Sequence, residues 1–216
     1  MAQKYLYVVF SATPYRIGRL IRSLTGETYN HISLSLDKDL RRMYSFSRRF
    51  YRTPFYGGFV WESPSRYQVN GHDSQICLCA LPVTDSQHKQ LEQLLEAMYS
   101  KRQSYLYNHL SVLGTVIRKP IPVKDAYTCV EFCIRILRDM GVDVHPGKYY
   151  TIGDVQKLLQ PYTVYSGNMP KDATEDTAFF SHSPVPHPVI TTLRDILRLF
   201  PRWAYKGNSA PPNWRG

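Results

Sequence analysis

Cys129 stands in the run Tyr127-Thr128-Cys129-Val130-Glu131-Phe132-Cys133. Thr128 as N-cap, with Glu131 three residues on as its reciprocal partner, predicts a helix that opens at the cysteine. Asp125 is a rival cap that would move the start by a turn. A thiol in the first helical turn faces unpaired backbone N–H groups and the positive end of the helix dipole, which favour the thiolate. The chemistry that suits such a position is nucleophilic attack. Against it stands the commoner kind of cysteine, buried and inert. Cys133 shares the helical face four residues deeper and reads as core. Cys77 and Cys79 project to one side of an apolar strand, whereas structural zinc sites draw ligands from loops or knuckles at spacings of two to four residues. Neither a metal nor a cofactor is expected.

A nucleophilic thiol needs a base, and of the seven histidines His31 is the best placed. It opens His31–Leu36 (HISLSL), where Ile32, Leu34 and Leu36 alternate with His31, Ser33 and Ser35. The serine face is small enough for a helix carrying Cys129 to lie against it. The plainer reading of His31 is a strand-end side chain hydrogen-bonded at an edge. His109 precedes Cys129 on a neighbouring helical stretch. His72, His88 and His145 lack such a setting, and His182 and His187 fall in a proline-bearing segment.

Several elements must hold these residues. Tyr5–Phe10 (YLYVVF) reads as a buried strand, and Tyr15–Leu24 as an amphipathic helix stopped by Gly26. Strands are expected at Met43–Ser47, Phe59–Glu62, Gln75–Leu81 and Thr163–Ser166. Helices are expected over Asp85–Lys101, Ser104–Ile117 and Tyr127–Met140, the last closed by Gly141. Another, capped by Thr151 with Asp154, runs to Leu159, and a final one covers Thr192–Phe200. Strands mostly precede helices, which gives an α+β class with an antiparallel sheet packed against helices. Residues 1–166 form the expected main domain. Residues 167–216 form an extension in which Gly167–Pro188 wraps the surface or is partly mobile, one helix docks back and the tail from Gly207 is loose.

The 216 residues are 43% hydrophobic and 20% charged, enough for one well-filled core and too apolar for wholesale disorder. No run reaches the ~20 apolar residues of a membrane span, and Met1–Phe10 is too short for a signal peptide. A cytoplasmic protein with reduced cysteines is the expectation. The net charge of +10 suits an anionic partner. Arg41, Arg42, Arg48, Arg49 and Arg52 are interleaved with Phe46, Phe50, Tyr51, Phe55 and Tyr56. The run reads as a solvated hairpin with buried aromatics or as a device steering an anionic substrate toward a cleft. Nucleic acid is disfavoured, because no helix-turn-helix, zinc finger or RNA-binding sheet motif accompanies the charge.

The succession of strand, short helix, Tyr29-Asn30-His31-Ile32-Ser33-Leu34, Met43-Tyr44-Ser45-Phe46, Gly57-Gly58-Phe59-Val60-Trp61-Glu62 and Tyr127-Thr128-Cys129-Val130-Glu131-Phe132 resembles the circularly permuted NlpC/P60 proteins. That group includes the YiiX and YycO-like papain-fold hydrolases, in which histidine precedes cysteine. The resemblance spans about residues 5 to 140. It implies a permuted papain-like fold and acyl transfer at an amide or ester, with Cys129 as nucleophile, His31 as base and a third residue orienting the imidazole. The family carries that third residue on the strand after the histidine strand. This chain offers only Ser45 and Ser47 there, so Glu62, one strand further, is the candidate; the plainer reading is an exposed strand-end acid. The substrates left open are a cell-wall peptide, a lipid or a protein amide. The competing function is a catalytically silent, basic binding module of the same fold, for an anionic polymer or nucleic acid.

Overall fold

In the computed structural model the described residues are 3–69, 72–112, 118–145, 147–171, 176–181 and 187–204. They form an α+β fold built on one eight-stranded sheet. The strands are β1 (Lys4–Ser11), β2 (His31–Ser35), β3 (Met43–Arg48), β4 (Gly57–Glu62), β7 (Gln75–Val83), β8 (Leu106–Tyr107), β9 (Ala126–Tyr127) and β10 (Thr163–Asn168), with β5 (Gln68–Val69) and β6 (His72–Asp73) as a separate hairpin. Their order across the sheet is β10-β7-β1-β2-β3-β4-β8-β9. All neighbours run antiparallel except β8 and β9.

The helices are α1 (Arg16–Thr25), α2 (Asp85–Ser100), α3 (Cys129–Asp139), α4 (Ile152–Leu159), α5 (Thr177–Phe180) and α6 (Pro188–Ala204). Thr84, Thr128 and Thr151 each close a capping box, with Gln87, Glu131 and Asp154. Three orphaned helix starts are thereby satisfied by sequence-local bonds. Gly26 ends α1 in the left-handed region at φ 70°, a conformation that costs glycine little.

The main core lies on one face of the sheet, where Leu6, Val8, Phe10, Ile32 and Leu34 meet Leu91 and Leu95 of α2 and Phe132, Cys133 and Ile136 of α3. Phe46 and Phe59 pack with Phe132 at ring-centroid distances of 5.4 and 5.5 Å, which locks α3 against β3 and β4. The expected location of this helix, against the serine face of β2, is therefore corrected: it shares a core with Ile32 and Leu34. Only the apolar face gains from covering. A second cluster on Val9, Met43, Tyr67 and Ile76 covers the other face.

Further expectations change. Ser104–Ile117 is helical only in part: Leu106–Tyr107 is a short strand between β4 and β9, residues 109–112 are helical, and residues 113–117 lie outside the described residues. The segment after Gly167 is not simply wrapped over the surface, since Asp176 and Phe179 are 3% and 2% exposed. His182 and the tail from Gly207 fall outside the described residues. The last helix begins earlier and ends later than Thr192–Phe200, and β10 continues two residues past 166. Among the described residues no helix is long and apolar enough to cross a membrane.

Candidate active site

Cys129 occupies the first residue of α3, directly after the Thr128 cap. The amide of Thr128 donates to Glu131 Oε2 at 2.7 Å, and the amide of Glu131 to Thr128 Oγ1 at 3.2 Å. Glu131 is itself gripped by Ser111 Oγ at 2.5 Å and Asn108 Nδ2 at 3.2 Å. Burial raises the Glu131 pKa, and these bonds oppose that rise. The start of the cysteine helix is thus tied to the β8 segment, so the thiol's position is fixed by two elements rather than one.

His31 is fixed from the opposite side. Its pairing with Ser11 and the bond from Asn30 N to Ser11 O at 3.0 Å hold the strand end. Asn30 also accepts from Thr13 N at 2.9 Å and donates to Thr13 Oγ1 at 2.7 Å. Gly18 of α1 packs so closely here that a Cβ would collide with Thr13 and Asn30. A helix without a side chain at this point is what lets the turn before His31 close.

His31 Nε2 lies 3.1 Å from Glu62 Oε2. Cys129 lines the same cleft as the imidazole. Burial disfavours the charged imidazole, but the Glu62 carboxylate and the thiol outweigh it and push the His31 pKa up to about 10. Glu62 is 3% exposed, so it is not a surface acid at a strand end. Its desolvation is offset by the His31 charge, by Arg66 and by hydroxyl donors, which hold it well below the carboxylate range. Ser33 Oγ and Tyr67 Oη donate to Oε2 at 2.6 and 2.8 Å, and Ser47 Oγ donates to Oε1 at 2.8 Å. A buried carboxylate with this many donors stays ionised and immobile.

Behind Glu62 stands Arg66, whose Nη1 is 3.9 Å from Glu62 Oε1 and whose Nε is 2.5 Å from Asp176 Oδ2. Asp176 also caps α5, accepting from Phe179 N at 3.0 Å. A residue beyond 166 therefore completes the charge order His31, Glu62, Arg66, Asp176. Neither Arg66 nor Asp176 was singled out by sequence, and the one available signal was the four-residue step from Glu62 to Arg66 in a chain segment that turns tightly. Asp176 gave none.

Cys129, His31 and Glu62 all line one cleft of about 420 Å³. Its other walls are mostly apolar, with Ile17, Ile21, Phe55, Leu110, Phe179 and Ile196 among them. Part of the arginine-rich run enters it: Arg48 lines the cleft, its guanidinium carbon 3.5 Å from the Tyr15 ring centroid and its Nη1 donating to Tyr51 O at 3.1 Å. Arg49 is buried and bonds to the carbonyls of Arg102 and Tyr105. Arg48 is thus half-buried and Arg49 buried, while Arg41, Arg42 and Arg52 are exposed. His109 also lines the cleft, and burial lowers its pKa. Its ring contact is Tyr107, with the centroids 5.1 Å apart.

The remaining thiols have no such setting. Cys77 and Cys79 are buried against Thr163, and Cys133 is fully enclosed. Among the described residues no group of three or more histidines, cysteines and acids could hold a metal ion. No protein-family model matches the chain, and neither a curated protein nor a solved structure matches it.

Proposed function

We propose that the chain is a cysteine hydrolase or acyltransferase of the permuted papain-like kind, acting on an amide or ester. The observation that carries the proposal is the meeting of Cys129, His31 and Glu62 in one cleft, with the imidazole paired to the carboxylate at 3.1 Å. Support for the permuted fold comes from the chain order of the histidine strand, the acid strand and the cysteine helix, together with their packing on one antiparallel sheet.

The chemistry follows from the geometry. The Cys129 sulfur attacks the carbonyl carbon while His31 carries the thiol proton, and Glu62 holds the imidazolium in place through Nε2. Backbone N–H groups at the start of α3 face the developing oxyanion. Collapse expels the amine or alcohol with the proton from His31 and leaves a thioester on Cys129. Water, or an acceptor nucleophile, then cleaves that thioester with His31 acting as base. A side chain that only packed or bound would have no use for a charged carboxylate in so dry a place, since burying an ionised group is costly.

The test is incubation with p-nitrophenyl acyl esters of increasing chain length, followed by mass spectrometry of the protein. A burst of p-nitrophenol with an acyl mass added to the Cys129 peptide is expected, and Cys129→Ala should show neither. Turnover that survives in Cys129→Ala, or an adduct on another residue, would remove the thiol from the reaction.

A further inference from the structure

Most of the large apolar side chains left exposed lie on two helices. On α6 these are Val189, Ile190, Leu193, Leu197, Phe200 and Trp203, with Leu193 at 55% and Leu197 at 66%. On α1 they are Leu20, Ile21 and Leu24, the last at 77%. Neither helix is loosely attached. Leu199 of α6 is fully buried with Leu106, Leu110 and Val123, and α1 seats Gly18 against Thr13 and Asn30. Each helix thus presents one side to the protein and a second apolar stripe to the outside. Residues 189, 193, 197 and 200 follow the helical repeat along α6, and residues 17, 20, 21 and 24 follow it along α1.

Both helices reach the cleft. Ile17 and Ile21 of α1 and Ile196 of α6 line the cleft that holds Cys129, together with the exposed Phe55. The polar flanks are cationic. Helix α1 carries Arg16 and Arg19 on its outer side and no acid, its Arg22 being turned inward onto Thr13 O at 3.0 Å and Asn30 Oδ1, and α6 carries Arg194, Arg198 and Arg202 against one acid, Asp195, with Arg198 engaging Asp195 at 3.1 Å and Arg202 donating to Ser104 O at 3.1 Å. An apolar face of this extent is unusual on a chain that stays in water.

A second copy of the chain is a poor cover, because a two-fold contact through these stripes sets one arginine fringe against the other. An anionic bilayer answers both features: its acyl boundary takes up the leucines, isoleucines and aromatics, and its headgroups take up the guanidinium groups. We propose that α1 and α6 form a docking face for an anionic lipid bilayer, with the mouth of the cleft turned toward the membrane. Trp203 sits where an indole is favoured, at the boundary between acyl chains and headgroups. The docking does not depend on Cys129 being a nucleophile.

The probe is a flotation assay with vesicles of phosphatidylcholine alone and of phosphatidylcholine mixed with phosphatidylglycerol, on the parent and on variants of exposed residues only. The parent should float with the phosphatidylglycerol vesicles, about tenfold more weakly with phosphatidylcholine alone, and less at high salt. The pairs Leu193→Glu with Leu197→Glu and Leu20→Glu with Leu24→Glu should each lower binding by about tenfold or more, while unfolding at the parent's temperature. Cys129→Ala should float as the parent does, which separates this result from the fate of the catalytic assignment. No flotation of the parent, or flotation unchanged in both leucine pairs, would overturn the proposal. So would a parent dimer in analytical ultracentrifugation that the glutamate variants split, since the face would then belong to a second copy.

Discussion

Nε2 of His31 and Oε2 of Glu62 stand 3.1 Å apart in a place where the two residues are 8% and 3% exposed. The residues are 31 positions apart in sequence, on strands separated by β3 in the sheet. Each has its charge stabilised by the other, and Glu62 is held in addition by Arg66 and by the hydroxyls of Ser33, Ser47 and Tyr67.

Acylation should fall by about 10²- to 10⁴-fold at neutral pH in His31→Ala, the range expected for loss of a positioned general base. Glu62→Gln should fall less, because it keeps a hydrogen-bond acceptor near Nε2 but loses the charge that supports the imidazolium. Burst rates with a p-nitrophenyl ester give both numbers. Equal rates in parent and His31→Ala would remove the imidazole from the mechanism.

Iodoacetamide near neutral pH should modify one thiol first. Burial pushes the Cys79 pKa up to about 12 and that of Cys133 well above the thiol range, and neither residue has any exposed surface. Cys129 is the one that lines the cleft. Peptide mapping over a time course should therefore find Cys129 carbamidomethylated before the other three. Prior labelling of Cys77, Cys79 or Cys133 in the folded protein would contradict the placement.

Stability should respond to pH in a defined direction. His31 binds its proton more tightly folded than unfolded, so its contribution is whole below pH 6.5, the ordinary value, and is lost as pH rises toward about 10. Glu62 runs the other way, with its contribution present above 4.5 and lost as pH falls below that value. Urea unfolding of the parent should accordingly lose up to about 1.4 kcal/mol per pH unit between neutrality and pH 9 through this one proton. His31→Gln should show a flatter profile over that interval. A parent profile as flat as the variant's would show that the imidazole is neutral when folded.

Asp176→Ala removes the partner of a guanidinium that is 92% covered and deletes the α5 cap. Breaking a buried pair from one side costs about 3–5 kcal/mol. The expected result is a large drop in the urea midpoint, with Arg66→Met paired to Asp176→Leu recovering much of it because both charges are then gone. A loss of only a few tenths of a kcal/mol would mean that the segment beyond residue 166 does not hold the site.

The parts of the site that sequence revealed are those made by local rules. Thr128 and Glu131 are three residues apart and cap the cysteine helix whatever lies around them, and the two-residue repeat of His31–Leu36 names its own strand. Glu62 was identified as the available acid, but the donors that define it come from β2, β3 and the turn before β5. Serine size suggests room for the helix on the polar face of β2, whereas apolar area decides packing and places it on the other face. Leu106–Tyr107 could not be read as a strand, since two residues carry no period and their pairing depends on β4 and β9. Asp176 lies 110 residues from Arg66, in a stretch with no repeat at all.

The chain order of the site has a consequence for synthesis. β1 through β4 bring His31 and Glu62 together out of the first third of the polypeptide, while Cys129 follows about 100 residues after His31 and Asp176 later still. At 5–20 residues per second, translation leaves the base without its nucleophile for about 5–20 s. Through that interval the nascent chain lacks the Cys129 sulfur, and the Phe179 and Ile196 walls of the cleft follow later still. On the proposed chemistry, a ribosome-bound intermediate cannot acylate itself or its neighbours, and competence arrives only with the second half of the molecule.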